Sequence, residues 1–315
     1  MNITRRQIIG TCGALVATGA LADVPCFFPQ RGKHERLNLG FQRIEIGLPQ
    51  PFSVLHISDT HLTNAELDAP LAKQRLHRAR TKLMGGCQEE ALRDSLAWAK
   101  ENADYVLHTG DLVDFQSEAN LRTVKACFGE KVFCCPGNHD YSSDLEFSDP
   151  PETKDEAQKA RTRGWLEKGF PSDPEFCSRI VNGVNFVMMD DAFGTFTARQ
   201  AERFAAEVKK GLPIVLCVHV PLYTDKIWQA QDRYWNRLGR RFESAAVPAP
   251  DGSCARQRTD PVTMDFLASL RAEPLLKGVL AGHVHMSVQD RFSSTAMEYV
   301  VGANFLFHGQ EVLFV

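Results

Sequence analysis

Apolar residues never run on in this chain for the roughly 20 positions that a membrane-spanning helix needs. The uncharged stretch from Gln7 to Ala22 falls short of that length. No Cys-x-x-Cys pair occurs, so the usual cysteine spacing of zinc ribbons and dithiol redox sites is missing. No fixed-period repeat or low-complexity tract is visible. Positive charge is not in excess either. The 36 Lys and Arg stand against 39 Asp and Glu, a net charge of −3, which argues against a nucleic-acid polymer as the main partner. What is present is ordinary globular material, 315 residues that are 43% hydrophobic, enough for one large domain or two modest ones. Nine cysteines are scattered through it. Cys134 and Cys135 are neighbours in an apolar run, where successive side chains point to opposite faces, and they read as small buried hydrophobes. No disulfide pairing follows from the positions.

The N-terminus reads as an address. Arg5-Arg6 precede the uncharged stretch, and Ala20-Leu21-Ala22 matches a small-x-small cleavage pattern. The arginine pair after Thr4 resembles a bacterial twin-arginine export signal. Residues 1–22 are therefore expected to direct export to a periplasmic or extracytoplasmic location. The remaining chain is expected to be soluble, with no stable membrane span.

Beyond residue 22, short apolar runs alternate with helical periods. Residues 41–49 and 52–58 read as strands. Residues 88–102 carry Ala91, Leu92, Ser95, Leu96 and Ala99 at helical spacing. Residues 105–111 form a short strand running into a loop, and the pattern of helix, glycine, strand and loop repeats through Asp140. Residues 176–191 read as a hairpin, because Asn182-Gly183 is a strong two-residue turn signal. A helix follows at 201–211, then strands at 213–222 and 275–285, then antiparallel strands in the tail. Alternating strands and helices predict an α/β domain, and the hairpin with the β-rich tail predicts a second sheet. Three polar segments, 62–87, 141–175 and 223–262, exceed ordinary connections of about 4–6 residues. They read as insertions in a single domain spanning 23–315, of the kind that often carries function.

Polar residues gather where the apolar strands end. They are Asp59 and His61, Asp111, Asn138, His139 and Asp140, His219, and His283 and His285. In an open α/β sheet the carboxyl ends of parallel strands share one edge, where ligands bind. Asp59 and His61 are two apart, as are His283 and His285, so on extended chain each pair faces one volume. Carboxylate, imidazole and amide oxygen together suit a divalent cation such as Mn, Fe or Zn. So many donors divide more naturally between two ions about 3.5–4 Å apart, with a carboxylate between them, and Asp111 is the natural bridge. His34, His56, His77, His108 and His308 lie outside these positions and read as structural or surface residues.

This order of motifs resembles the calcineurin-like metallophosphoesterase superfamily, in its exported bacterial type. Asp59-x-His61, Gly110-Asp111, Gly137-Asn138-His139-Asp140, His219 and Gly282-His283-x-His285 follow its pattern in sequence. Each motif is weak alone; five in order are specific. The resemblance implies a four-layer α/β/β/α sandwich with two mixed sheets and a dinuclear metal site at the strand ends. It implies that Asp59, His61 and His285 hold one divalent metal, that Asn138, His219 and His283 hold the other, and that Asp111 bridges. His139 would meet the substrate rather than a metal, and Asp140 would accept a hydrogen bond from His139 and orient it. The implied activity is hydrolysis of a small-molecule phosphoester by a metal-bridged hydroxide. A phosphodiester is favoured over a phosphomonoester, and a metal-binding scaffold without catalysis is the further alternative. Purple acid phosphatases of the superfamily carry a tyrosine three residues after the bridging Asp. Asp114 stands there in this chain, which argues against an iron–tyrosinate site.

The segment 223–262 leaves the strand bearing His219 almost at once, and it contains Trp228 and Arg233. Aromatics supply contact area and arginines bind phosphate oxygens, so these two are expected to bind substrate. A surface amphipathic helix with solvated arginines is the competing reading.

The address at 1–22 is testable. Replacing Arg5→Lys together with Arg6→Lys keeps the charge but removes the guanidinium pair. Export is expected to fail, with precursor accumulating in the cytoplasm, as fractionation and immunoblotting would show; unchanged export would rule out this route.

Overall fold

Strands β1 (Phe28–Pro29), β2 (Asn38–Ile44), β3 (Phe52–Ile57), β4 (Tyr105–Thr109) and β5 (Val132–Cys135) join the C-terminal strand β12 (His308–Phe314) in one sheet. Its order is β1-β2-β12-β3-β4-β5. The second sheet is built from β6 (Phe176–Val181), β7 (Val184–Met189), β8 (Ile214–Cys217), β9 (Leu276–Ala281), β10 (Val288–Arg291) and β11 (Met297–Val300). Its order is β10-β11-β9-β8-β7-β6. The computed structural model of the chain describes residues 28–29, 36–142, 156–170, 172–237 and 257–315. Residues 1–22 lie outside the described residues, as do 143–155 and 238–256 within the segments read as insertions.

Both sheets are mixed, and both have a parallel centre. β3, β4 and β5 run parallel in the first, and β7, β8, β9 and β11 in the second. Parallel strands covered on both faces need apolar side chains in both directions. That is why β5 and β8 read as unbroken apolar runs and β3 and β7 as runs broken only by Ser53, His56 and Asn185, and why all four are buried at every position. Cys134 and Cys135 show the alternation directly: one packs toward the helices and the other between the sheets.

Three cores separate four layers. Between the sheets, Phe52 stacks on Phe314 at 5.0 Å, and Phe186 meets them edge-on at 6.1 and 5.3 Å. Outside the first sheet, helices Gln88–Asn102, Glu118–Cys127 and Glu156–Gly169 bury Trp98, Leu92, Val124 and Leu166. Outside the second, helices Ala198–Val208, Asp225–Arg237 and Pro261–Ala272 bury Phe204, Ile227, Phe266 and Leu270. The result is the α/β/β/α sandwich.

Local signals explain most boundaries. The Gln88–Asn102 helix has Glu89 and Glu90 in its first turn and Lys100 in its last, matching the helix dipole. Asn182 and Gly183 both take positive φ, 48° and 86°, as a two-residue hairpin turn requires. The helix expected at 201–211 starts three residues earlier, at Ala198. There the Thr197 side chain accepts the Gln200 N–H, and the Gln200 side chain returns to the Thr197 N–H.

Two elements differ from expectation. The tail does not form one antiparallel set: β12 leaves the second sheet and inserts between β2 and β3 of the first, parallel to β2. Its near-complete burial needs a neighbour on each side. The segment 62–87 also holds a helix, Leu71–Leu83, with no buried residue to produce an apolar period. No described helix is long and apolar enough to cross a membrane.

The aromatic contacts between the sheets make a stability prediction. Phe186→Ala removes the ring that touches Phe52, Phe133 and Phe314. Urea unfolding is expected to show a loss of about 3–5 kcal/mol.

Candidate metal centre

The carboxyl ends of β3, β4 and β5 meet those of β7, β8 and β9 at one end of the sandwich, and hydrogen bonds cross between the sheets there. His219 Nδ1 lies 2.7 Å from the Thr109 carbonyl oxygen, and the His283 N–H donates to Asp59 Oδ2 at 2.9 Å. Residues scattered from 59 to 285 are thereby brought into one volume. Asp59, His61, Asp111 and His285 present ligand atoms within 4.8 Å of one another, and so do Asp111, His219 and His283. Asp111 belongs to both groups.

The i, i+2 pairs reach this volume by a different route from the one expected. They do not lie on extended chain. Asp59, His61, Asp111, His283 and His285 all take positive φ, between 50° and 68°. They are five of the eight non-glycine residues that do so among the described residues. The left-handed conformation costs about 1–2 kcal/mol per residue. Concentration of that strain in one cluster marks a site held in shape by its surroundings. Backbone approach is equally tight. A Cβ on Gly110 would come within 2.5 Å of His219 Nδ1, and one on Gly137 would strike the Asp111 carboxylate.

The donor set fits cations. His219 Nδ1 faces a carbonyl, which can only accept, so that nitrogen carries the proton. In the neutral ring the Nε2 lone pair then faces Asp111 Oδ2 at 3.3 Å and His283 Nδ1 at 3.2 Å. His61 repeats the arrangement. Its Nδ1 sits 3.0 Å from Asp114 Oδ1, and its Nε2 faces Asp111 Oδ2 at 3.5 Å and His285 Nε2 at 3.2 Å. Asp59 Oδ1, 3.3 Å from His285 Nε2, makes no hydrogen bond, and neither does the buried Asn138 Oδ1. Acceptors that converge without donors leave room for positive charge. In the protein alone a proton partly supplies it. Burial works against a charged His219, yet the facing Asp111 carboxylate prevails and holds the ring at about 10. Burial and then the charge of His219 push His283 down to about 3. Burial also opposes ionisation of Asp111, but His219 and His139 hold it well below the usual carboxylate range.

His139 lies beside this cluster, its ring 4.7 Å from that of His61. The expected partnership with Asp140 is corrected. Asp140 points away and accepts the backbone N–H groups of Val113 and Gly137, at 2.9 and 2.8 Å. The tight turn after Gly137 directs its side chain inward to those orphan donors, tying the β4 and β5 exits together. Burial and the nearby Asp111 push the Asp140 carboxyl up to about 7. The carboxylate that meets His139 is Asp114, 3.2 Å from its Nδ1. Asp114 also holds His61 and is gripped by Arg80 through two bonds of 2.6 and 2.7 Å. Burial would raise its pKa, but Arg80, His139 and His61 keep it well below the ordinary range.

Other supporting residues were not singled out in the sequence. Asp191, at the end of β7, accepts the N–H groups of His219 and Val220 at 2.8 and 3.0 Å. It follows an apolar strand like the other site residues, so the same strand-end criterion could have found it. Arg80 had no signal, since the helix carrying it shows no apolar period. His56 and His108, read as structural, are buried against Thr109 and Thr60 hydroxyls, and burial pushes both down to about 3.

The Asp225–Arg237 helix does reach the cluster, through Trp235, whose ring lies 5.8 Å from that of His285. Trp228, two turns earlier on the same face, packs against Tyr223 at 6.5 Å, and Arg233 is exposed. Phe305 flanks the same side, with its ring 5.3 Å from His285 and 5.7 Å from His61.

A family model for calcineurin-like phosphoesterases matches residues 52–287, a span that holds every strand-end motif. The chain belongs to the calcineurin-like phosphoesterase family. It is a metal-dependent phosphoester hydrolase, of a family that uses two divalent metals. Among solved structures, a dimetal phosphatase from Danio rerio is similar at 15% identity and a TM-score of 0.48, over 81% of this chain and 89% of that one. A purple acid phosphatase from yellow lupin (Lupinus luteus) seeds is similar at 14% identity and a TM-score of 0.45, over 81% of this chain and 44% of that one. No curated protein matches the chain.

The two carboxylates around His139 are expected to separate by experiment. Asp114→Asn disturbs the orientation of His61 and is expected to weaken metal binding about 10–100-fold. Asp140→Asn is expected to lower thermal stability while leaving metal affinity closer to that of the unaltered protein. Titration of metal-stripped protein followed by calorimetry distinguishes them.

Proposed function

We propose that the protein hydrolyses a small phosphodiester at a dinuclear centre. Asp59, His61 and His285 would hold one divalent cation, Asn138, His219 and His283 the other, and Asp111 both. Mn, Fe and Zn all suit this donor set. The observation that carries the reading is the convergence of Asp59 Oδ1, which makes no hydrogen bond, and the imidazole lone pairs of His61 and His219 around the Asp111 carboxylate.

Two divalent cations, when bound, supply charge to the phosphoryl oxygens and lower the pKa of water held between them. The chain's own residues do the rest. Asp111, with one oxygen accepting the His139 N–H at 2.8 Å, keeps the other turned toward both histidine clusters. His139, anchored by Asp114 at Nδ1, would donate a proton from Nε2 to the departing ester oxygen. Trp235 and Phe305 beside His285 supply an apolar wall. The support for a diester over a monoester is charge and lining. Arg80, the cation that shares Asp114 with His139, is already paired to that carboxylate, and aromatic rings suit the uncharged second arm of a diester better than a further phosphate charge. Trp228 and Arg233 would act further from the centre, on a longer substrate. We also propose that the protein works outside the cytoplasm, on the strength of Arg5-Arg6 and the uncharged stretch behind them.

His139→Ala is expected to retain both metals and lose about 10²–10⁴-fold in turnover of an aryl phosphodiester. The loss is expected to shrink as the leaving group becomes a weaker base. Loss of a metal from this variant, or an equal loss for every leaving group, would overturn the role assigned to His139. Faster turnover of the matching monoester by the unaltered enzyme would overturn the choice of a diester.

A further inference from the structure

The helix Leu71–Leu83 is the most cationic element described. It carries Lys73, Arg75, Arg78, Arg80 and Lys82, has no acidic residue, and buries none of its side chains. Its inner side is half-buried and fastened to the body. Gln74 Nε2 donates to the Ala69 carbonyl at 2.7 Å, the Thr81 and Thr63 hydroxyls meet at 2.6 Å, and Arg80 grips Asp114. Its outer side is a broad exposed face on which Leu71, Arg75, Arg78 and Lys82 line up, with Leu83 at the far end about a third of a turn around the axis. Leu67, just before the helix, is 100% exposed, Leu71 67% and Leu83 53%, and these are the three most exposed large hydrophobic residues among the described residues. Glu66 and Asp68 flank Leu67, and both precede the helix; Glu66 accepts the Ala119 N–H at 2.6 Å and lies 3.9 Å from Arg122.

Leucines left in water beside a row of cations match the chemistry of a lipid interface. Apolar tips enter the headgroup boundary, and cations meet anionic headgroups. A partner protein's groove would need large apolar anchors at i, i+3, i+4 and i+7. Leu71 and Leu83 are instead twelve residues apart, about 18 Å along the axis, with cations and alanines between. We propose that this helix docks the protein on the surface of an anionic phospholipid membrane. Arg80 ties the inner side of the same helix to Asp114, so docking would bring the metal centre close to that surface. The proposal does not depend on which phosphoester is cleaved.

Flotation with vesicles tests it. The full chain is expected to bind vesicles containing phosphatidylglycerol and not vesicles of phosphatidylcholine alone, with binding lost at 1 M salt, a concentration that shortens screening to about 3 Å. Arg75→Gln, Arg78→Gln and Lys82→Gln combined are expected to weaken binding roughly a hundredfold, about fivefold for each cation. Leu71→Ser with Leu83→Ser is expected to weaken it at least about tenfold. All variants should turn over a soluble aryl phosphoester at the unaltered rate, which separates loss of docking from loss of fold or catalysis. Absence of binding to the anionic vesicles would overturn the proposal. So would variants that bind as the unaltered protein does, or an acidic protein captured by this face when vesicles are not.

Discussion

Asp111 Oδ2 faces one imidazole nitrogen 3.5 Å away on His61 and another 3.3 Å away on His219. Both nitrogens carry lone pairs in the neutral rings, because the opposite nitrogens are committed to Asp114 and to the Thr109 carbonyl. Three electron-rich atoms held this close, with little access for water, repel one another unless positive charge sits among them. Much of this end of the molecule can be read as the means of enforcing that crowding. Two sheets are needed because the donors come from the carboxyl ends of both. Five side chains accept the left-handed region because strand geometry would carry them past the cluster. Glycines at 110 and 137 leave the volume that a methyl group would take from His219 and Asp111.

Around the cluster, carboxylates serve separate purposes that their chemical identity does not distinguish. Asp59 and Asp111 turn oxygens inward. Asp140 spends both of its oxygens on backbone N–H groups at the β4 and β5 exits, and Asp191, after β7, turns one to those of His219 and Val220 after β8. Asp114 orients two imidazoles and is itself held by Arg80. Burial raises Asp140 and Asp191 to about 7, whereas Asp114 stays low because a guanidinium and two rings offset the same burial. The environment, not the residue type, separates a brace from a participant.

The strand-end motifs were legible because each follows an apolar run that only a buried strand explains, and because their order matches one superfamily. The hairpin was legible from Asn182-Gly183, and the helix 88–102 from its period. Asp114 stood in view as a departure from the purple acid phosphatase pattern, yet its partners could not be read. Arg80 is 34 residues away and His61 is 53. Phe305 lay in a stretch read only as tail, and it reaches His61 because its backbone N–H binds the Asp59 carbonyl at 3.2 Å. Choosing Trp228 over Trp235 could not be avoided from sequence, since the two share a helix face and differ only in how far along it the metal cluster lies.

Short-range chemistry is what the chain states by itself. Apolar runs buried on both faces, a turn dipeptide and a set of acceptor side chains after each strand specify an α/β sandwich with ligands at one edge. Pairings of high sequence separation are decided only when the layers close. β12 lies between β2 and β3 because its buried residues need two neighbours, and no local pattern names them. Asp140 turns to the backbone N–H groups of Gly137 and Val113, whereas Asp114, in the loop after β4, meets His139 and is held by Arg80. A carboxylate's role follows from which donors the fold brings within about 3 Å of it, and that distance is a property of the assembled layers.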